Sequence, residues 1–502
     1  MYLNSEFWWI NNIIFWWAME KSDNMESRFG LLLRTVLLLA ISSIVSSQNI
    51  IKILPGFHGD LPFKLETGYV GVGEKDEIQL FYYFIESEKS PEDDPLVLWL
   101  TGGPGCSALS GLIYEIGPLS FDYEMASWNS TTLIYNPYSW TKVANIIFLD
   151  GPVGTGFSYA TTWQAYNTSD TLSATTNYDF LRKWLMTHPK FLKNPLYIAG
   201  DSYSGIIVPI LVQDIANGNE AGVEPSMNLK GYILGNPVTY LHDDVNSKVE
   251  FSYRKALISD QLYKSIKTNC NGEDVNIDQE NALCNKDMEA FHECTDKLST
   301  AHILEPRCPV HASPKPKVFL KSWSPMTTFT EDSIHLLLSV SQLHNQPSMC
   351  RDYHYLYSYA WVNNQSVQDA LQIRKGSKQG WTRCNLTIPY VHDVTSSVDY
   401  HQNLKNKGYR VLVYSGDQDF IIPYVGTLAW IEALNLTVGR AWTPWFVDGQ
   451  VAGYTVQYYT DNGQLTFATV KDAGHTAPEF RPKECLAMVD RWFAHVPLFT
   501  QY

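Results

Sequence analysis

The sequence predicts an α/β protein with a central, mostly parallel sheet covered by helices on both faces. Short apolar, β-rich runs end in Gly or Asp, helix-like stretches separate them, and a serine sits where one run turns into such a stretch. Strands that are apolar along their whole length, rather than at alternate residues, belong in a sheet buried on both sides.

The runs are Ile78–Ile85, Leu96–Leu100, Asn145–Asp150, Leu196–Gly200, Gly231–Gly235, Arg410–Asp417 and Leu465–Val470. They stop after Gly235-Asn236-Pro237 and resume near Arg410. The Cys-rich, helix-leaning stretch between them, about 245–350, is expected to be a lid inserted over the carboxyl edge of the sheet. Residues 312–317 (ASPKPK) read as an exposed loop and a processing site that would give a two-chain form.

With 502 residues, residues 48–502 are long enough for a single large domain carrying that insertion. A net charge of −15 and the lack of a basic patch exclude nucleic acid as a partner. Thr35–Val45 is an apolar run of eleven residues behind Arg28 and Arg34, with small Val45 and Ser47 before a cleavage point. This is the layout of a signal peptide over 25–47 and is too short to span a bilayer. Met25 is the natural start, which leaves residues 1–24 as an extension of doubtful origin. No stable membrane insertion is expected after cleavage. Sequons at Asn129, Asn167, Asn364, Asn385 and Asn435 are candidate glycosylation sites. Together with the leader they indicate the secretory pathway, ending in the vacuole or outside the cell, where disulfides persist. The eight cysteines form no C-x-x-C pair and no zinc-like spacing with histidine, so neither a metal nor a cofactor is expected.

The candidate chemistry begins at Ser202, in Gly200-Asp201-Ser202-Tyr203-Ser204-Gly205. Small neighbours at a strand-to-helix turn tolerate the strained backbone that lifts a serine Oγ above a sheet. Asp419 follows the strand ending at Gly416, and His475 lies in the flexible turn Asp472–Pro478. Between Asp417 and Asp419 the residues alone leave the choice open, and Asp419 has more freedom to reach the crevice. The order Ser–Asp–His is that of α/β-hydrolases. Thr101-Gly102-Gly103-Pro104-Gly105 follows the strand Leu96–Leu100 in the place of an oxyanion loop, with the Gly103 and Tyr203 N–H groups as expected donors. The Gly-rich 151–157 loop lacks dinucleotide-binding spacing and reads as a structural loop lining the site.

Taken together, WLTGGPGCS (99–107), FLDGPVGTGFSYA (148–160), GDSYSG (200–205), VYSGDQDFIIP (413–423), WFVDGQVAGY (445–454) and GHTAPEFRP (474–482) resemble the serine carboxypeptidase-like family, from about residue 56 to 502. The resemblance implies an α/β-hydrolase fold with an inserted lid and a triad on Ser202, Asp419 and His475. It also implies disulfides Cys106–Cys384, Cys270–Cys284 and Cys308–Cys350, leaving Cys294 and Cys485 unassigned. Peptidases of that family hold a substrate's terminal carboxylate with an Asn before the Gly-Gly pair and a Glu before the nucleophile. Here those positions are Thr101 and Asp201. Losing one good hydrogen bond to a charged group costs about 1.5–3 kcal/mol. These departures, with Ser204 and the 235–237 turn, look like the plant acyltransferase branch. The resemblance therefore implies an acyl-glucose donor and a hydroxyl or amine acceptor, with Thr101, Gly102 and Asp201 beside the substrate. The alternative is a serine carboxypeptidase acting on peptides.

Overall fold

The computed structural model describes residues 50–123, 131–308, 351–378, 380–460 and 462–500. The expected leader, the 312–317 loop, Asn129 and Cys350 lie outside the described residues.

Among the described residues, ten strands of three residues or more build the main sheet: β1 (Leu65–Val72), β2 (Ile78–Ile85), β3 (Leu96–Leu100), β4 (Asn145–Leu149), β5 (Leu196–Asp201), β6 (Leu229–Gly235), β7 (Arg410–Gly416), β8 (Thr437–Val447), β9 (Gln450–Tyr459) and β10 (Gln464–Val470). Their order across the sheet is β1-β2-β4-β3-β5-β6-β7-β10-β9-β8. The six strands β4-β3-β5-β6-β7-β10 run parallel, while β1, β2, β9 and β8 extend the two sides antiparallel. The fold is an α/β-hydrolase fold with a mixed, mostly parallel central sheet.

All five residues of β3 are buried, and the two faces of the sheet serve different cores. Trp99 packs with Phe148, Tyr197 and Tyr414 on one side, while Leu98 and Leu100 pack with Ile147, Ile198 and Val413 on the other. Period-two alternation thus feeds two apolar layers, which is why the central strands show no polar face. Helices α1 (Asp170–Thr187) and α2 (Ser204–Glu220) cover the second face with Phe180, Leu181, Trp184, Ile206, Ile210 and Leu211. The first face receives Cys485, Met488, Val489 and Trp492 of the C-terminal helix Pro482–Phe493.

The β8–β9 hairpin is a strand pair that the run of apolar segments did not reveal. Most of β8 is exposed, so it carries no continuous apolar signal. The available signal was its turn: Asp448 and Gly449 both take positive φ (49° and 72°), the conformation for which Asp-Gly is the preferred pair in a two-residue hairpin loop.

Between β6 and β7 the chain inserts α3 (Leu241–Arg254), α4 (Asp260–Asn269) and α5 (Ala282–Thr295). Their buried side chains, among them Val249, Phe251, Ile266, Met288 and Phe291, form a separate small core that also takes in Phe420. The following segment docks on the loops beyond the sheet's carboxyl edge: Phe420 N–H donates to Thr300 O, Ile303 N–H to Gln418 O and His475 N–H to Ala301 O.

Candidate active site

β5 ends at Asp201, and Ser202 takes a φ of 54°, the left-handed region that costs a non-glycine residue on the order of 1–3 kcal/mol. Three backbone hydrogen bonds hold it there. Ser202 N–H donates to Gly235 O (2.9 Å), and Ser202 O accepts from Gly205 N–H (3.0 Å) and Val238 N–H (2.9 Å). A trans peptide points its N–H opposite to its carbonyl. Anchoring Ser202 O twice therefore turns the Tyr203 N–H the other way, toward the 101–103 loop. Among the described residues no group of the chain accepts from the Tyr203 or Gly103 N–H. The loop can approach because Gly102 has no side chain. A Cβ there would stand 2.6 Å from Ser202 Cβ and 2.8 Å from Tyr203 N. Ser204, in the place of the usual glycine, donates from Oγ to Leu100 O (2.9 Å), and so ties α2 to β3.

The structure brings together three side chains that lie up to 273 residues apart. His475 Nε2 is 2.8 Å from Ser202 Oγ. His475 Nδ1 is 2.8 Å from Asp419 Oδ2. The fully buried Asp419 also accepts from Asn236 Nδ2 (2.8 Å) and from Ile421 N–H at Oδ1 (2.7 Å). Every partner of this carboxylate is a donor, so His475 carries its proton on Nδ1 and presents Nε2 as an acceptor to the serine hydroxyl. Asp417 faces elsewhere and accepts from Asp472 N–H (2.7 Å) and Gln418 Nε2 (3.0 Å). Asn236 is a site residue that sequence reasoning cited only as part of a turn. Its φ of 43° at the end of β6 swings its amide between Asp419 and Gly416 N–H.

Ser202 and His475 open into a cleft lined also by Thr101, Gly102, Gly103 and Asp201, and by Glu115, Tyr355 and Arg383, which the sequence had not singled out, while Asp419 lies fully buried behind them. Thr101 Oγ1 accepts from the Trp99 indole N–H (3.2 Å). Asp201 Oδ1 accepts from Gly102 N–H (3.2 Å). Burial pushes the Asp201 carboxyl up to about 6, against the pull of His475 and the Gly102 N–H. Glu115, buried in the one-turn helix Gly111–Glu115, is driven well above the usual range by burial and then by Asp201, and among the described residues its Oε2 has no hydrogen-bond partner. A glutamate inside the apolar run LIYEIG was the available sequence signal for Glu115. Arg383 had none, because it reaches the cleft through a long-range tie. Cys384 is bonded to Cys106 in the oxyanion loop, Ser107 N–H donates to Arg383 O (2.7 Å), and the Arg383 guanidinium lies 3.7 Å from the Tyr355 ring centre.

Residues 55–495 match the serine carboxypeptidase family. The chain belongs to that family. Serine carboxypeptidase-like 8 of Arabidopsis thaliana is 46% identical over 469 residues, covering 93% of this chain and 100% of that one. Serine carboxypeptidase-like 1 of the same plant is 47% identical over 454 residues, covering 90% and 94%. The Saccharomyces cerevisiae prohormone-processing carboxypeptidase KEX1(delta)p shares the fold. Its TM-score is 0.63 at 19% identity, covering 86% of this chain and 91% of that one.

Two of the disulfides expected of a serine carboxypeptidase family member, Cys106–Cys384 and Cys270–Cys284, are present. Cys294 is free and exposed, and Cys485 is free and buried. Among the described residues no group of His, Cys, Asp or Glu is arranged to hold a metal ion. Of the sequons, Asn167, Asn364 and Asn435 are exposed. Asn385 is half-buried, with its Nδ2 donating to Gly154 O (3.0 Å).

The site has a defined pH response. Burial alone would lower the basicity of His475, but the Asp419 carboxylate outweighs it and leaves the imidazole above its ordinary 6.5. Only neutral His475 can take the serine proton, so activity is lost as pH falls through this raised value. The acidic limb of kcat/KM, measured from pH 5 to 9, is expected to have its midpoint above about 6.5.

Proposed function

We propose that this chain is an acyltransferase that moves a hydroxycinnamoyl- or benzoyl-type group from a 1-O-β-glucose ester to an alcohol or amine. Ser202 Oγ attacks the ester carbonyl while its proton passes to His475 Nε2. His475 then gives that proton to the departing anomeric oxygen, leaving the acyl group on Ser202. In the second half, an acceptor hydroxyl or amine loses its proton to His475 and attacks the acyl carbon, and Ser202 regains the proton. Gly103 and Tyr203 N–H would stabilise each tetrahedral oxyanion, and Asp419 would hold and charge-balance the imidazole.

One observation carries the reading: the groups beside the serine suit neutral hydroxyls better than a peptide's terminal carboxylate. Thr101 has no amide, and its hydroxyl already accepts from Trp99. Asp201 is turned onto Gly102 N–H, and as a carboxylate it would repel a substrate's carboxylate and accept from sugar hydroxyls. Arg383 favours a second reading, a carboxypeptidase, because it places one cation on the same cleft wall. The disulfides support a secretory route.

The deciding experiment offers the purified protein a mixture of hydroxycinnamoyl and benzoyl glucose esters with simple alcohols and amines, and in parallel a series of blocked dipeptides. Mass spectrometry is expected to show an acyl adduct on Ser202 and transfer products. Release of C-terminal amino acids without any transfer product would replace this reading with the peptidase.

A further inference from the structure

A polar cluster on the far side of the elbow takes no part in the chemistry described so far. Asp170, fully buried in the first turn of α1, accepts at Oδ1 from two phenols, Tyr203 OH (2.8 Å) and Tyr390 OH (2.8 Å), and at Oδ2 from Val394 N–H (3.0 Å). Tyr203 OH also lies 2.5 Å from His392 Nδ1. Because the phenol donates to the carboxylate, it accepts from the histidine, which fixes the proton on Nδ1. Burial, and then Asp170, push the Tyr203 phenol up, so it stays an O–H donor throughout the working pH range.

Tyr203 is the residue whose N–H faces the 101–103 loop. Its carbonyl is held by Ile206 N–H (3.0 Å) and the preceding peptide by the two bonds to Ser202 O, so the remaining freedom is a shift of the Tyr203 Cα, which would tilt the Ser202–Tyr203 peptide and its N–H. The phenol oxygen is the far end of a long lever attached at that Cα. Pinning it between a buried carboxylate and an imidazole holds that Cα in place by directional bonds, which packing of an apolar ring alone would not supply. Asp170 comes from α1, and Tyr390 and His392 from a short strand pair, Thr168–Ser169 with Tyr390–Val391, so the pin joins the elbow to two segments remote from it in sequence.

We propose that Asp170 is a positioning residue for the oxyanion hole, acting through the Tyr203 phenol to aim the Tyr203 N–H. This rests on the reading of Ser202 as nucleophile and is independent of which acyl group is moved. Complete loss of one oxyanion donor slows catalysis on the order of 100- to 1,000-fold, and a donor that is present but loosely aimed should cost about 10-fold.

The test uses phosphorylation of Ser202 by diisopropyl fluorophosphate, which needs no knowledge of the substrate. The Ser202 Oγ–P bond forms, the P–F bond breaks, fluoride leaves, the serine proton goes to His475, and the phosphoryl oxygen occupies the oxyanion hole. Tyr203→Phe and Asp170→Ala are each expected to slow labelling about 10-fold, and the double variant no further, since both cut the same link. Tyr390→Phe removes the other phenol from the same carboxylate and is expected to stay within twofold of the parent. Tyr203→Phe keeps the ring, so an unchanged Tm and near-UV CD spectrum separate misaiming from unfolding, and it decides alone if Asp170→Ala does not fold. Labelling of Tyr203→Phe at the parent rate overturns the proposal, as does an equal loss in Tyr390→Phe. A parent that fails to label at all overturns instead the reading of Ser202.

Discussion

Ser202→Ala is expected to lower kcat on the order of 10⁶-fold while leaving the fold in place. The substitution removes one oxygen and nothing that supports the elbow. The bonds that hold the turn, Ser202 N–H to Gly235 O and Gly205 and Val238 N–H to Ser202 O, are all main-chain. Alanine suffers the same left-handed strain as serine at a φ of 54°, so Tm should shift by no more than a few degrees. Since His475 and Asp419 keep their mutual bond, any residual rate comes from the oxyanion donors and binding alone. The check is a transfer assay together with mass spectrometry of the trapped enzyme. An acyl adduct surviving in Ser202→Ala would place the nucleophile elsewhere.

Asp419→Asn is expected to cost about 10⁴-fold in kcat, through the tautomer of the neighbouring imidazole. Asp419 Oδ2 faces two donors, His475 Nδ1 and Asn236 Nδ2, and Oδ1 faces a third, Ile421 N–H. An asparagine amide has one acceptor and one donor end, so either orientation sets its NH₂ against a donor in a fully buried site. The relief available is for His475 to move its proton from Nδ1 to Nε2, which leaves Ser202 Oγ without a base. The same change removes the carboxylate that raises the His475 pKa, leaving burial to lower it. The acidic limb of the residual activity should therefore move to lower pH. A limb that stays in place would mean that Asp419 does not set the protonation of His475.

The legible part of the fold was the part built from sequence-local chemistry. Leu96–Leu100 is apolar throughout and Ile78–Ile85 at every position but Gln79, and both were found at their observed limits, because burial on both faces leaves almost no polar positions to blur the signal. The β8–β9 hairpin was not found, since exposed residues along β8 erase that contrast. Likewise Ser202, Asp419 and His475 stood out because each follows a recognisable strand in a Gly-containing turn. Asn236 had the same setting, but an amide in a turn is ordinarily read as a turn former.

The sequence alone determined the six parallel strands, the elbow and the serine carboxypeptidase family, because each rests on residue types within a few positions of one another. Tertiary structure decided what converges on the cleft. It turned Asp419 toward His475 and Asp417 away from it, the geometry behind a choice that the family resemblance had already implied. It carried Arg383 to the oxyanion loop through a disulfide spanning 278 residues. It buried Asp201 and Glu115 together, which moves both carboxyls away from their ordinary ionisation. These are effects of distance and dielectric, which exist only once segments remote in the chain have been packed against each other.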